Sequence, residues 1–211
     1  GETDRPLEME IHKKMPFGSG LGSSAASAAG GVYAVNEFLR TGLSKQDILR
    51  FAVEGEQIAD GAFHADNVGP SLLGGMILIR DNETLDIKKM YIPPGLYAAV
   101  IYPHVEVLTR ESRGILKSEV SFKDVVRQQG NLGAFVAGMY TSDYGLISRS
   151  LQDLLVEPQR AHLIPHFYEM KNAALKAGAL GFSISGAGPS MFALCDNSNN
   201  AENVLEAAEK L

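Results

Sequence analysis

Apolar residues recur at helical spacing in several long segments of the chain. The spacing predicts a helix over 23–39 and a second over 44–59, and Ser44 with Asp47 forms a capping box at the start of the second. Such a box satisfies the first free N–H groups of a helix, so this boundary is well specified. Further helices are predicted at 110–116, 122–140, 145–155 and 165–177, and from Asn200 to the last residue.

Alternation of apolar and polar residues predicts the strands. Residues 7–14 alternate in this way, residues 97–102 are a further predicted strand, and "MILIR" and "LDIKKMYI" predict a hairpin around Asp81 and Asn82. The segment "GFSISGAGPSMFALC" predicts another pair of strands, whereas 60–75 lacks a clear period and is interpreted as irregular. Strands mixed with helices, several of them adjacent in sequence, indicate an α+β fold of two domains.

The proline-rich segment "PPG" at 93–95 marks the predicted domain boundary, because proline interrupts both helices and strand ladders. We therefore predict domains at 1–92 and 93–211. A strand pattern is already present at the first residues and a helical pattern continues to Leu211. These patterns lead us to expect an internal fragment of a longer chain.

Composition and charge exclude several classes of partner. The formal charge is −6 over 211 residues, with no run of Lys and Arg that could form a nucleic-acid-binding stripe. No apolar segment approaches the roughly 20 residues needed to span a bilayer, and we expect a cytoplasmic protein that binds neither nucleic acid nor membrane. The single cysteine, Cys195, lies in an apolar strand pattern and is interpreted as a buried core residue.

The segment "MPFGSGLGSSAASAAGG" at 15–31 is the most unusual in composition. Gly18, Gly20 and Gly22 allow positive φ angles and a close approach of the backbone, and a helix begins directly after them. The first N–H groups of a helix have no intrahelical partner, so this arrangement can bind a phosphate without a cationic side chain. The alternative is a tight turn in which glycine serves packing only. The spacing matches neither the Walker A loop nor the dinucleotide-binding fingerprint.

Two segments of the chain resemble motifs of the GHMP kinases. "PFGSGLGSSAAS" is similar to the second motif of that family, P-x-x-x-G-L-G-S-S-A, and "SISGAGPSMFAL" at 183–194 is similar to its third. The resemblance extends over essentially the whole chain. It implies the C-terminal part of a nucleotide-binding domain followed by a ferredoxin-like C-terminal domain. It also implies ATP and Mg²⁺ as cofactors and is compatible with a homodimer.

The resemblance also assigns residues to the nucleotide. Ser24 and Glu56 match the family's magnesium ligands, whereas Glu54 is interpreted as a surface residue and Ser23 as the residue capping the helix. For Ser24 the alternative is a simple N-cap. The residues that match the phosphate-binding loop are Pro16, Gly18, Ser19, Gly20, Leu21, Gly22, Ser23 and Ser24.

Three shorter segments, "HADNVGP", "TRESRGIL" and "EPQR", are similar to the family members that phosphorylate homoserine. They imply L-homoserine as the acceptor. Arg113 and Arg160 would bind its carboxylate, since a planar guanidinium can donate two parallel hydrogen bonds to a carboxylate. The full set of residues implied for the acceptor is His64, Asn67, Thr109, Arg113, Arg160 and Gly186.

At the position of the catalytic base, this sequence departs from the pattern of some family members. Relatives that act on mevalonate or galactose carry an aspartate seven residues before a Gly-Gly pair, and here that spacing gives Asn67, with Asp66 one place away. An amide cannot take a proton. Our hypothesis is that Asn67, with Ser24 and Glu56, positions the reactants, while the phosphate itself accepts the hydroxyl proton. Asp66 as the base is the alternative.

Two other functions remain open from the sequence. The first is phosphorylation of a different small alcohol by another GHMP kinase. The second is a non-catalytic homologue that keeps the fold and binds an amino acid or nucleotide. Intact Ser24, Glu56 and loop glycines favour catalysis over this second alternative.

Overall fold

A computed structural model describes residues 8–60, 63–105, 112 and 114–211. Its helices are numbered here along the described chain: α1 Ser23–Leu39, α2 Lys45–Asp60, α3 Val68–Leu73, α4 Phe122–Thr141, α5 Tyr144–Ser150, α6 Glu157–Arg160, α7 Phe167–Lys176 and α8 Ser198–Ala208, with a 3₁₀ turn at Ala161–Leu163. The strands are β1 Ile77–Asp81, β2 Asp86–Lys89, β3 Tyr97–Ile101, β4 Gly181–Ile184 and β5 Met191–Cys195.

The chain forms two compact units, and the glycine-rich segment is divided between them. Of the described residues, those in 8–17 and 22–89 belong to the first unit, and those in 18–21 and 90–211 belong to the second. The chain thus passes from one unit to the other at 89–90, three residues before the predicted boundary. The predicted division into domains at 92–93 itself stays a prediction.

The first unit consists of three helices and the β1–β2 hairpin. Ala25 and Ala29 on α1, Leu49 and Val53 on α2 and Val68 on α3 belong to one buried cluster. The small alanines let α1 approach its neighbours closely, which agrees with the alanine-rich sequence after the glycines. Ser44 donates its backbone N–H to Asp47 Oδ2 at 2.9 Å, and Asp47 donates its N–H to Ser44 Oγ at 3.2 Å. The predicted capping box of α2 is therefore confirmed.

The second unit contains an antiparallel sheet in the order β3–β5–β4. Ala193 of the central strand β5 pairs with Ala99 on one side and with Phe182 on the other. Phe182 and Phe167 of α7 are fully buried, and their rings lie 5.6 Å apart in the core. Cys195 is also buried, and burial raises the pKa of its thiol, as expected for a core residue rather than a nucleophile.

Two predicted elements are wrong. Residues 8–14 form no strand, because none of the described strands pairs with them. The segment interpreted as irregular contains helix α3, which is only six residues long and therefore too short to show a clear period. Pro70 fits there because the first turn of a helix does not need its N–H.

The helix predicted over 145–155 is shorter than expected and ends at Ser150. Asp153 explains the difference, since its carboxylate accepts the backbone N–H groups of Leu155 and Val156 at 2.9 Å and that of Glu157 at 3.0 Å. These bonds compete with the helical pattern. The remaining predicted elements are found within a few residues, except 110–116, which lies partly outside the described residues.

No helix in the part of the chain that the structure describes is long and apolar enough to cross a bilayer.

Candidate active site

The N-terminus of α1 has a backbone geometry that glycine permits and no side-chain cap. Gly18, Gly20 and Gly22 have φ angles of 62°, 76° and 75°, so the backbone adopts the left-handed conformation that glycine permits. Gly22 is the N-cap of α1, no side chain caps the helix, and its first turn holds no acidic residue. Free N–H groups and the helix dipole together favour a negatively charged ligand at this position.

Ser23 does not cap α1, contrary to the prediction. It is the first residue of the helix and is buried, and its Oγ has no hydrogen-bond partner among the described residues. The capping position belongs instead to Gly22, whose positive φ angle places the backbone where a serine would be strained. An unpaired buried hydroxyl at this point is costly, and an anion accepting its proton would remove the cost.

Ser24 and Glu56 meet as the magnesium prediction requires. Ser24 Oγ donates to Glu56 Oε2 at 2.9 Å, joining the first turn of α1 to α2. Hydroxyl and carboxylate oxygens are the hard ligands that Mg²⁺ prefers, and this ion commonly binds one or two protein oxygens together with substrate phosphates. The donor set therefore fits the ion, whereas Glu54 forms an exposed ion pair with Arg50. Both Ser24 and Glu56 line a cavity of about 620 Å³ with largely apolar walls.

Asn67 lies against the last glycine of the loop. A Cβ atom added to Gly22 would be 3.2 Å from both Cβ and Oδ1 of Asn67. Asn67 is partly buried at the start of α3. Asp66 and His64 are exposed, and neither side chain forms a hydrogen bond with the described residues of the loop. The structure thus brings Asn67, rather than Asp66, next to the glycine-rich segment.

Gly18–Leu21, the part of the loop in the second unit, packs on the turn between β4 and β5. Ser19 O accepts the N–H of Ser190 at 3.0 Å, and Gly20 O accepts the hydroxyl of Ser185 at 2.8 Å. Gly186 has a φ of 57°, and a Cβ atom there would lie 3.1 Å from Gly20 O. The two glycine-rich segments recognised in the sequence are therefore in direct contact, and their glycines permit that contact.

Arg160 lies beside the same turn. Its Nη1 donates to Gly186 O at 3.1 Å and its Nε donates to Ser112 O at 3.0 Å. Ser112 is fully buried, and its hydroxyl donates to Ala187 O at 2.7 Å. Two of the six predicted acceptor residues, Arg160 and Gly186, are thereby brought together.

Thr109 and Arg113 lie outside the described residues, although Ser112 between them is described. Pro16 and Gly18, at the start of the loop, are exposed.

The sequence analysis missed three basic residues that precede the loop. His12, Lys13 and Lys14 line a cavity of about 580 Å³ together with Ser23 on α1. The Nζ atom of Lys13 lies 4.5 Å from the centre of the Phe17 ring, a cation–π contact. Consecutive basic residues just before a glycine-rich loop were the available signal, and the two lysines add positive charge on the side of Ser23.

Two family models match the chain: the GHMP kinases N terminal domain over residues 1–75 and the GHMP kinases C terminal model over residues 126–211. The chain belongs to the GHMP kinase family.

The chain is similar to homoserine kinases over nearly its whole length. The chain is 46% identical over 209 residues to a homoserine kinase of Chloroherpeton thalassium, covering 99% of this chain and 66% of that protein. It is 43% identical over 206 residues to the Chlorobaculum tepidum homoserine kinase, covering 98% of this chain and 64% of that one. The chain thus spans slightly less than two thirds of the length of these relatives.

Solved structures of a homoserine kinase and of a mevalonate kinase also match the chain. The crystal structure of homoserine kinase from Cytophaga hutchinsonii matches with a TM-score of 0.92 and 52% identity, covering 94% of this chain and 63% of that one. Mevalonate kinase from L. major in complex with R-mevalonate matches with a TM-score of 0.76 at 17% identity, covering 91% of this chain and 62% of that one. The second likeness shows the shared fold alone.

Proposed function

We propose that the protein is a homoserine kinase, which transfers the γ-phosphoryl group of ATP to the hydroxyl of L-homoserine. The products are ADP and O-phospho-L-homoserine, a step of threonine biosynthesis, and we expect the enzyme in the cytoplasm. The observation that carries the phosphoryl-transfer part is the uncapped N-terminus of α1 next to the Ser24–Glu56 pair. The similarity to homoserine kinases over nearly the whole chain supports the choice of acceptor.

The loop from Gly18 to Gly22 binds the phosphates of ATP through its backbone. Peptide N–H groups and the positive end of the α1 dipole neutralise the charge that develops on the transferred group. The unpaired hydroxyl of Ser23 supplies one further donor. Such fixed donors require little reorganisation during the reaction, which is why they stabilise a transition state well.

Ser24 and Glu56 hold the magnesium ion in this proposal. An ion held by these two side chains would neutralise charge on the phosphates of ATP. Ser24 contributes a hydroxyl oxygen from α1 and Glu56 a carboxylate oxygen from α2. The two oxygens lie 2.9 Å apart, so both can bind the same ion.

The acceptor carboxylate binds to Arg160, with Arg113, Thr109, His64 and Gly186 as the further contacts implied by the family. The plane of the Arg160 guanidinium is fixed by its bonds to two backbone carbonyls, those of Ser112 and Gly186. A guanidinium oriented in this way loses little conformational entropy when it binds a carboxylate.

Asn67 orients the acceptor hydroxyl, and no side chain removes its proton. The hydroxyl oxygen forms the new bond to phosphorus, the bond to the β-phosphate oxygen of ATP breaks, and the hydroxyl proton passes to an oxygen of the transferred phosphoryl group. A loose transition state of this kind depends on positioning and charge neutralisation more than on a strong base. The contact between Asn67 and Gly22 supports this role.

A substrate panel tests the proposal. L-homoserine, mevalonate, galactose and cytidyl-methylerythritol are offered to the full-length protein with ATP and Mg²⁺, and ADP release is followed in a coupled assay. We expect turnover with L-homoserine alone. Turnover with another alcohol would instead identify a different GHMP kinase. Ligand binding in calorimetry without any ADP release would identify a non-catalytic homologue.

A further inference from the structure

Glu157, the first residue of α6, has its carboxylate buried in the second unit. Glu157 is 5% exposed; its Oε2 accepts the hydroxyl of Ser183 on β4 at 2.9 Å, and its Oε1 accepts from the ammonium group of Lys171 on α7. The Lys171 side chain is itself only 21% exposed. Burial of a charge is costly unless it is paired and hydrogen-bonded, as it is here. Glu157 therefore joins three elements at one buried point.

The other end of α6 carries Arg160, the proposed acceptor-binding arginine. Only Pro158 and Gln159 lie between it and Glu157, so one turn of helix connects the buried carboxylate to the guanidinium. The backbone of that turn is fixed further by Asp153, whose Oδ2 accepts the Glu157 N–H at 3.0 Å. A shift of α6 at Glu157 is transmitted directly to Arg160.

Such a shift of α6 would weaken the two hydrogen bonds that Arg160 donates to backbone carbonyls. Its donor atoms lie 3.0 Å from Ser112 O and 3.1 Å from Gly186 O, and hydrogen bonds weaken steeply as they lengthen or bend. Gly186 in turn contacts Gly20 of the phosphate-binding loop. A displaced guanidinium would therefore be out of place for any ligand bound beside this turn.

We propose that Glu157 is a positioning residue for the acceptor: by fixing α6 against Lys171 and Ser183, it sets the place and plane of the Arg160 guanidinium that binds the substrate carboxylate. This inference rests on the proposed function. A buried ion pair that only stabilises the fold would leave the kinetic constants of the folded enzyme unchanged, so the two roles can be separated.

The first test is Glu157→Gln in the full-length protein, assayed with L-homoserine and ATP. The amide keeps the volume of the carboxylate, but it places a neutral group beside the Lys171 ammonium and releases α6 from its ion pair. We expect the KM for homoserine to rise about tenfold, the scale of one charge-assisted hydrogen bond, with kcat and the KM for ATP within about twofold of wild type. Glu169→Gln is the matched control, because Glu169 lies exposed on α7 beside His166.

A double-mutant cycle with Arg160→Ala shows whether Glu157 acts through the arginine. If it does, adding Glu157→Gln to Arg160→Ala changes kcat/KM for homoserine by less than about twofold, far from the product of the two single effects. Ser183→Ala is a milder variant that removes only the hydrogen bond to Glu157 Oε2, and it should raise the same KM by about threefold. It keeps the test decisive if Glu157→Gln fails to fold.

Three results would overturn the inference. The first is an unchanged KM for homoserine in Glu157→Gln and Ser183→Ala, and the second is an equal rise of the KM for homoserine and the KM for ATP. The third is that the kcat/KM losses of Glu157→Gln and Arg160→Ala are additive in free energy. A wild-type protein that does not phosphorylate homoserine would instead refute the proposed function. In that case hydrogen exchange of the Gly188 amide, which donates to Ser185 O at 2.9 Å in the turn held by Arg160, decides the positioning role. Faster exchange in Glu157→Gln than in Glu169→Gln supports it, and equal exchange rejects it.

Discussion

Gly20 is the loop residue at which a side chain is most strongly excluded. A Cβ atom there would lie 2.4 Å from Ser185 O and 2.7 Å from Gly188 O, both of them backbone atoms that cannot move aside cheaply. Gly18 also has a positive φ angle, yet a Cβ atom on it would meet nothing within 4 Å. The two glycines thus share one backbone requirement and differ in their packing.

We predict that Gly20→Ala is far more harmful than Gly18→Ala. Both substitutions strain a left-handed backbone by roughly 1–2 kcal/mol, but only Gly20→Ala also forces the loop away from the β4–β5 turn. ATP affinity measured by calorimetry should fall more than about tenfold for Gly20→Ala and only about twofold to fivefold for Gly18→Ala. Equal losses would show that packing on the turn does not matter for nucleotide binding.

Asn67 and Asp66 are adjacent in sequence but differ in their surroundings. Asn67 contacts the loop at Gly22, whereas Asp66 is exposed. We predict that Asn67→Ala lowers kcat about a hundredfold through misplacement of the acceptor hydroxyl, and that Asp66→Asn changes kcat by less than about fivefold. Steady-state kinetics of the full-length protein would measure both. A collapse of kcat confined to Asp66→Asn would make Asp66 the base.

Among the helices, α2 has the start that is best defined by its sequence. The reciprocal bonds between Ser44 and Asp47 satisfy N–H groups that a helix start otherwise leaves free. The hydroxyl of Ser44, which donates to Asp47 Oδ2 at 2.6 Å, and the Ser44 backbone N–H lower the pKa of Asp47 below its usual value. By contrast, α1 begins without any side-chain cap. The helix that carries Glu56 begins with a side-chain cap, and the helix that begins at the proposed phosphate site does not.

The lowered pKa of Asp47 gives a pH-dependent contribution to stability. The ionised carboxylate is favoured in the folded chain, so its stabilisation is present above the ordinary aspartate pKa of 3.8 and is lost as the pH falls through the lower folded value. We predict that Asp47→Asn lowers the urea midpoint near pH 7 and that the difference from wild type closes below about pH 3. Glu54→Gln, which removes an exposed carboxylate from the same helix, should shift the midpoint less.

The described residues form two hydrophobic cores, one in each compact unit. One combines α1, α2 and α3 with the hairpin, and the other combines α7 and α8 with the three-stranded sheet. The glycine-rich segment contributes Gly18–Leu21 to the second unit and continues into α1 of the first. A boundary drawn from the prolines at 93–94 could not have foreseen this division, because the exchange depends on hydrogen bonds between Ser19 or Gly20 and residues far along the chain.

The sequence by itself determined those features that depend on neighbouring residues: the bounds of α1, the capping box of α2, the β1–β2 hairpin and the two glycine-rich motifs. Helix periodicity and turn chemistry act over a few residues, so a linear pattern is enough to reveal them. Only the tertiary structure decided that residues 8–14 lack a partner strand among those described, that Asn67 lies beside Gly22, and that Glu157 is buried with Lys171 and Ser183. These features depend on contacts between segments separated along the chain, and no local pattern of side chains specifies which of many apolar or charged residues will meet.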